Sequence, residues 1–181
     1  MEDATAQFHI RLLRDLRAVR HFLPDPIPAG VIDDISEIAR WTGSAKNLQP
    51  WDLVIVQERA TLDQLADLEG YVRHLAGAPL GIVLVFDNDN PEFAAYDEGR
   101  MAERIMLAAA AHGLGSCIGW WSGPGRDTAR TIVGAPDDRI VRTVISIGYP
   151  DEAAHRARPK PAEVRKPIAS FVYHERFGSG T

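Results

Sequence analysis

The segment from Ser44 to Trp51 concentrates the residue types that suit contact with a polar aromatic ring. Its two carboxamides, Asn47 and Gln49, each donate and accept hydrogen bonds, which matches the mixed edge of a pyrimidine-like ring. Pro50 restricts the backbone just before the indole of Trp51. The same residues also fit a structural loop that leads from a helix into a strand, with Trp51 as a core anchor. From the residues alone, a ligand-binding turn and a structural loop are equally open.

Cations suited to a phosphate occur near both ends of the chain. Arg14, Arg17 and Arg20 recur at a spacing of three, which predicts that they lie along one flank of a first helix. A guanidinium donates paired hydrogen bonds to phosphate oxygens. Arg165 and Lys166 offer two more cations. Spacing alone favours a solvated basic face for the first group and a solvated tail for the second.

A glycine-rich run, Gly113–Gly119, leads into Trp120, Trp121 and Ser122. The run has the glycines of a dinucleotide-binding loop, but its spacing ends one residue late and it leads from helix into strand rather than from strand into helix. A strand end with aromatic walls beside a helix start is a good place for an aromatic ligand. Adjacent strand residues point to opposite faces, so we expect at most one of the two tryptophans to line a pocket.

Missing motifs exclude several other chemistries. The chain has no Gly-x-Ser-x-Gly elbow, no P-loop lysine and no His-Glu-x-x-His pair, and its six histidines are dispersed. The single cysteine, Cys117, can form neither an intrachain disulfide nor a cysteine-rich metal site. It falls in a predicted buried strand, which favours an inert core thiol. We therefore predict no metal site.

The composition is that of one ordinary globular domain, with 181 residues of which 45% are hydrophobic and 25% charged. A net charge of -5 gives no basic footprint for nucleic acid. The first residues lack the pattern of a signal peptide, and the longest strand-like apolar run, Pro79–Phe86, is too short to span a bilayer. We expect a cytoplasmic protein that binds neither nucleic acid nor membrane.

Hydrophobic periodicity places these candidates on an alternation of helices and strands. The predicted helices cover Phe8–His21, Pro28–Trp41, a segment starting at Thr61, a long segment from Asp97 to Gly113 and a short one ending at Gly134. The predicted strands cover Asp52–Gln57, Pro79–Phe86, Ser116–Trp121 and Val141–Ile147. The order indicates an α+β or α/β sandwich with one central sheet. From Asp151 the chain is rich in proline and ends in an apolar segment that needs a surface to pack on.

Taken in order, these segments resemble the motifs of the nitroreductase family. The matching stretches are Leu16–Phe22, Gly43–Trp51, Asp97–Gly99, Gly113–Gly115, Gly148–Pro150 and the basic pair Arg165–Lys166. The resemblance implies an α+β fold, a three-layer α/β/α sandwich with a central, mostly antiparallel sheet. It implies a single domain over residues 1–181 and a homodimer, in which an extended C-terminal arm, residues 151–181, packs on the partner.

The resemblance also implies an FMN site between the two subunits. Arg17 and Arg20 would meet the phosphate or ribityl chain, and Arg165 or Lys166 of the arm would complete the phosphate site. Asn47 would meet the flavin ring, with Gln49 supporting the same turn. The other implied contacts are Ser44 and Ala45, which approach the cofactor of the other subunit, and Trp120, Trp121 and Ser122 beside the isoalloxazine. Leu16 and Ala18 stand where the family usually has arginine and serine, so the phosphate side is poorer in donors.

The activity that the resemblance implies is hydride transfer from NADH or NADPH through FMN to a nitroaromatic, a quinone or a similar small acceptor, by a ping-pong mechanism. The flavin carries this chemistry, so no side chain is expected to act as an essential acid or base. Two alternatives are open: a non-catalytic protein that binds or stores flavin, and a reductase that uses a deazaflavin donor.

Overall fold

The computed structural model describes residues 2–156 and 165–178. In these residues the helices are α1 (Glu2–Asp15), α2 (Ala29–Arg40), α3 (Arg59–Ala66), α4 (Pro91–Ala111), α5 (Gly125–Ile132) and α6 (Glu152–Arg156). The strands are β1 (Trp51–Val56), β2 (Leu80–Asp87), β3 (Gly115–Trp120) and β4 (Arg139–Gly148). Short 3-10 turns cover Ala45–Asn47, Arg73–Gly77 and Ile168–Ser170. None of the described helices is long and apolar enough to cross a membrane.

The four strands form one antiparallel sheet in the order β1-β2-β4-β3. One face packs against α2 and α4, and its core includes Ile35, Leu84 and Ile105. The other face packs against α3, α5 and the Arg73–Gly77 turn, with Leu62 at its centre. Two layers of helices around one sheet confirm the predicted three-layer α/β/α sandwich.

The apolar run of β2 follows from this arrangement. Residues 80–86 are all buried, because β2 has a strand on each side and a helical layer over each face. An all-apolar strand is what a doubly covered position requires, whereas a half-exposed strand alternates. The sequence prediction that this strand is central is therefore confirmed.

The first helix ends six residues earlier than predicted. It stops at Asp15, so the expected helical flank carries Arg14 but neither Arg17 nor Arg20. The chain after Asp15 is extended and pairs with other segments: Ala18 forms a parallel bridge with Ser116, and Phe22 pairs antiparallel with Pro150. The segment is extended rather than helical because its backbone pairing satisfies donors and acceptors along the free edge of β3 that would otherwise be unpaired. This gain is larger than the helical preference indicated by the spacing of the arginines.

Two predicted helix starts are also wrong. The long helix α4 begins at Pro91, where Asn90 caps it by accepting a hydrogen bond from the Phe93 N–H. Asp97, predicted as the cap, lies inside the helix, buried and paired with Arg100. Helix α3 begins at Arg59 rather than near Thr61. In both cases a residue further upstream caps the helix, because a side-chain acceptor three residues before a free backbone N–H can accept its hydrogen bond.

The expected C-terminal arm, residues 151–181, falls partly outside the described residues. The described portions are α6 and the stretch 165–178. In that stretch three large apolar side chains, Ile168, Phe171 and Phe177, are exposed in the single chain.

Candidate functional site

A cavity of about 610 Å³ lies along the outer edge of β3. Its size is that of a typical cofactor or ligand pocket. It is lined by Arg20, His21, Phe22, Gly70, Tyr71, Arg73, His74, Gly77, Ile118, Trp120 and Asp151. Four separate parts of the chain therefore meet at one strand edge: the extended segment after α1, the loop between α3 and β2, β3 itself, and Asp151 after β4.

Backbone pairing leaves the middle of this strand edge open. At the start of β3 the carbonyl of Ser116 accepts from the Val19 N–H at 2.8 Å, and at its end the carbonyl of Trp120 accepts from the Tyr71 N–H at 2.8 Å. Alternate residues of a strand turn their backbone groups to the same side. The N–H of Ile118, midway between Ser116 and Trp120, therefore faces the gap between the two covering segments. It gives the cavity a fixed backbone donor.

The two adjacent tryptophans have different environments. Trp121 is fully buried, and its Nε1 donates to the Leu65 carbonyl at 3.0 Å. Trp120 is 44% exposed, lines the cavity and packs on Tyr71 with ring centroids 4.6 Å apart. The prediction that at most one of them lines a pocket is confirmed. The side chain of Trp121 is enclosed by the core of the single chain, and its expected place beside the isoalloxazine stays a prediction.

The two arginines expected at a phosphate are separated by the extended backbone. Arg17 turns back on the end of α1, where its Nη1 donates to the carbonyls of Arg14 and Leu16 at 2.7 Å each. Arg20 instead lines the 610 Å³ cavity. Ala18, between them, contributes its backbone to the bridge with Ser116. The structure thus brings Arg20 to the site and gives Arg17 the role of satisfying helix-terminal carbonyls.

Ser122 fixes the corner that follows β3. Its N–H donates to the Glu69 carbonyl at 3.0 Å, and its hydroxyl donates to the Glu69 carboxylate at 3.2 Å. Gly125 is needed at this corner, because a Cβ there would lie 2.5 Å from the Glu69 carbonyl oxygen. The corner anchors the loop that carries Tyr71 to the end of β3.

The polar turn from Ser44 to Gln49 is held in an unusual backbone conformation. Lys46, Asn47 and Gln49 have φ values of 51°, 55° and 52°, a region that non-glycine residues rarely adopt. The Ser44 hydroxyl stabilises the turn by accepting from the Gln49 N–H at 2.9 Å. The Asn47 and Gln49 side chains and Ala45 are exposed. Strain of this kind clusters at functional sites, which favours a binding turn over a plain loop.

Within one chain, this turn and the cavity lie at opposite edges of the sheet. Trp120 pairs with Thr143, Thr143 with Leu84, and Leu84 with Leu53, so Trp120 and Leu53 share one row across four strands. Three inter-strand spacings separate them by about 14 Å. The turn precedes β1 at the far edge. The structure therefore does not bring Asn47 and Trp120 together in the same subunit.

Cations dominate the charge around the cavity. Among the described residues, the lining includes two arginines, Arg20 and Arg73, and one carboxylate, Asp151, which accepts the N–H groups at the start of α6 at 3.0 Å. Arg73 is also paired with Asp67 at 3.3 Å. Burial is the main cause that lowers the pKa of His74; the hydrogen bond to the Tyr71 carbonyl opposes this and the charge of Arg20 adds to it. His74 is therefore neutral at pH 7. A cavity that presents the guanidinium of Arg20 beside an aromatic wall suits a planar ligand with an anionic group.

The described basic pair of the arm, Arg165 and Lys166, is exposed and does not line the cavity of its own chain. Most of the lining residues were not predicted as site residues, among them Tyr71, Arg73 and His74. The sequence did carry one signal for a site in this loop. An aromatic residue and a histidine lie between two glycines, just before the most apolar strand.

Comparison with known proteins agrees with this architecture. The family model described as the nitroreductase family matches residues 13–70 and 66–149. An NADH dehydrogenase of Thermus thermophilus is 28% identical over 81% of this chain and 89% of that protein. An FMN-dependent nitroreductase of Clostridium difficile superposes with a TM-score of 0.81 at 25% identity, over 93% of this chain and 99% of its own.

A second solved structure, the FMN-dependent nitroreductase NfnB of Mycobacterium smegmatis in complex with NADPH, has a TM-score of 0.78 at 25% identity, covering 95% of this chain and 100% of its own. The family model alone spans most of the chain. The sheet order, the strand-edge cavity and these matches lead to one conclusion: the chain belongs to the nitroreductase family.

Proposed function

We propose that the chain is an FMN-dependent oxidoreductase that passes hydride from NADH or NADPH to a nitroaromatic, a quinone or a similar small acceptor. The observation that carries the proposal is the 610 Å³ cavity, which joins an aromatic wall, a guanidinium and a backbone donor at one strand edge. Its support from relatives is that the C. difficile and M. smegmatis neighbours are both described as FMN-dependent, and the latter binds NADPH.

The residues present fit FMN. Trp120 and Tyr71 offer a flat apolar surface to a tricyclic ring, and the Ile118 N–H offers a donor to its polar edge. Arg20 supplies the charge for the phosphate at the same cavity. When bound, FMN supplies the hydride chemistry, and the chain's own residues bind it, orient it and leave one face accessible.

The phosphate side has fewer donors than the ring side. Leu16 and Ala18 offer none from their side chains, and Arg17 is bonded to the end of α1. Arg20 therefore carries the phosphate, assisted by Arg165 or Lys166 from the arm of one of the two subunits.

We further propose that the working unit is a homodimer in which the Ser44–Gln49 turn of one subunit faces the cavity of the other. The separation of the turn from Trp120 across the sheet requires a second chain if both contact one flavin. Large apolar side chains around the turn are exposed in the single chain, among them Trp41 at 65% and Leu48 at 69%. Such exposure is typical of a surface that a partner covers. The apolar end of the arm, with Phe177 at 93% exposure, adds a further contact.

A single pocket for donor and acceptor implies ping-pong kinetics. Both molecules must approach the one open face of the ring, so the oxidised nicotinamide leaves before the acceptor binds. Double-reciprocal plots at several acceptor concentrations are then parallel. Intersecting lines would instead indicate that both substrates bind at once.

The test is to purify the protein, record its visible spectrum and titrate the apo-protein with FMN. We expect flavin absorbance, saturable FMN binding and steady oxidation of NADH or NADPH with a nitro or quinone acceptor. The matched variants are Arg20→Met, which removes one of the two guanidinium groups that line the cavity, and Arg11→Met, which removes an exposed α1 arginine outside it. A protein that ignores FMN overturns the proposal. FMN binding without turnover would favour flavin storage, and turnover with reduced deazaflavin alone would identify that donor.

A further inference from the structure

The imidazole of His74 lies between the Tyr71 loop and the sheet, bonded on both sides. Its Nδ1 is 2.7 Å from the Ser146 hydroxyl on β4, and its Nε2 is 3.2 Å from the Tyr71 carbonyl oxygen. Ser146 is fully buried. The ring therefore connects an interior strand to the loop that forms one wall of the cavity.

These two contacts determine the tautomer of His74. The Tyr71 carbonyl can only accept, so Nε2 carries the proton and donates to it. Nδ1 is then the acceptor and receives the Ser146 O–H, which lies closer to it, at 2.7 Å, than to the Cys117 carbonyl oxygen at 3.4 Å. Burial lowers the pKa of His74, which keeps the ring in this neutral form at pH 7.

The bond from Nε2 completes a clamp on Tyr71. The Tyr71 N–H donates to the Trp120 carbonyl at 2.8 Å, its C=O accepts from His74, and its ring packs on Trp120 at 4.6 Å. Gly119 makes room for the clamp, because a Cβ there would lie 2.6 Å from the Tyr71 oxygen and 2.8 Å from the His74 Nε2. Tyr71 itself is 69% exposed, so packing alone holds its side chain weakly.

We propose that His74 is a positioning residue that holds Tyr71 against Trp120 and so fixes the aromatic wall of the cavity for a planar ring. The effect on ring binding rests on the proposed flavin function, whereas the clamp itself is a property of the chain alone. Riboflavin is the suitable probe, because it carries the ring without the phosphate that Arg20 would bind.

The test compares His74→Leu, which removes the donor, with His74→Gln, whose carboxamide nitrogen can replace Nε2. Ser146→Ala is a smaller change that removes the hydroxyl that orients Nδ1. The first readout is the near-ultraviolet circular dichroism of the protein without flavin, which reports the stacked Tyr71–Trp120 pair. The second is riboflavin affinity, measured by quenching of flavin fluorescence.

We expect His74→Leu to reduce the aromatic dichroism and weaken riboflavin binding by roughly 5- to 30-fold. His74→Gln restores both to within about threefold, and Ser146→Ala shifts both in the same direction as His74→Leu but less, because its effect is indirect. In a Trp120→Phe background the dichroism change caused by His74→Leu is largely lost, since the pair is already altered.

Unchanged dichroism in both His74→Leu and Ser146→Ala would overturn the clamp. Altered dichroism with unchanged riboflavin affinity would overturn its role in the site. If the unsubstituted protein binds no flavin, the proposed function fails, while the dichroism still decides whether His74 holds Tyr71.

Discussion

Leucine substitution at each of the two adjacent tryptophans should separate stability from binding. Trp121→Leu removes the hydrogen bond to the carbonyl of Leu65 and leaves a void in the core. Leu65 is fully buried, so its carbonyl loses its partner away from water. Truncating a buried tryptophan costs about 3–5 kcal/mol, including the unpaired carbonyl. Trp120→Leu removes one stacked pair on a side chain that is 44% exposed, which costs about 0.5–1.5 kcal/mol.

The assay is thermal and urea unfolding of both variants at one protomer concentration, because association makes the apparent stability concentration-dependent. For a chain of this length each kcal/mol lowers the Tm by about 2–4 °C. We therefore expect Trp121→Leu to lower the Tm by roughly 6–20 °C and Trp120→Leu by at most about 6 °C. FMN titration should show the reverse order, with affinity reduced roughly 5- to 30-fold by Trp120→Leu.

The opposite pattern would refute this assignment of the two tryptophan side chains. If Trp120→Leu is the more destabilising change, or if folded Trp121→Leu loses more FMN affinity than Trp120→Leu, then the faces of the two side chains have been assigned wrongly.

Three further predictions concern other parts of the molecule. Glu98→Ala should lower the free energy of unfolding in urea by about 3–5 kcal/mol, because it leaves the partly buried guanidinium of Arg142 without its carboxylate. Adding Arg142→Met should recover most of that stability, and no recovery would contradict a pairing effect. Ser44→Ala should lower stability by about 1 kcal/mol or less, since the Gln49 N–H that loses its partner is exposed. It should nevertheless weaken FMN binding severalfold, because the strained turn is released. An FMN affinity equal to that of the unsubstituted protein would exclude the turn from the site. Burial lowers the pKa of His74, so the unfolded chain binds a proton more readily than the folded chain, and the stability that neutral His74 contributes at pH 7 is lost as the pH falls below about 6.5. The urea midpoint should therefore fall less steeply between pH 7.5 and 5 for His74→Gln than for the unsubstituted protein. Identical slopes would contradict the neutral state of His74 in the folded chain.

Local patterns predicted the parts of the fold that depend on local physics. The apolar run of β2 identified a doubly covered strand, and the alternation of strand residues separated the roles of Trp120 and Trp121. The strain of the Ser44–Gln49 turn was not predictable, but its polar residues identified the turn.

The errors came from contacts between distant segments. The spacing of Arg14, Arg17 and Arg20 is helical, but pairing of residues 18–23 with Ser116, Tyr149 and Pro150 takes the second and third arginines out of the helix. The sequence around Tyr71 and His74 places an aromatic residue and a histidine between two glycines, but it does not indicate that this loop meets β3, some forty residues further along. A cavity assembled from four separated segments follows from the tertiary fold and cannot be predicted from periodicity.

The most direct test of the account is complementation between two inactive variants. Asn47→Ala damages the turn and Trp120→Ala damages the cavity, and each alone should lose most NAD(P)H-dependent reduction of a nitro or quinone acceptor. If the turn of one subunit serves the cavity of the other, a mixed dimer has one intact site and one doubly damaged site. Refolding equal amounts together should then restore roughly a quarter of the unsubstituted activity, because half the dimers are mixed and each has one working site of two. No recovery from a mixture shown to contain mixed dimers would contradict a site shared between chains.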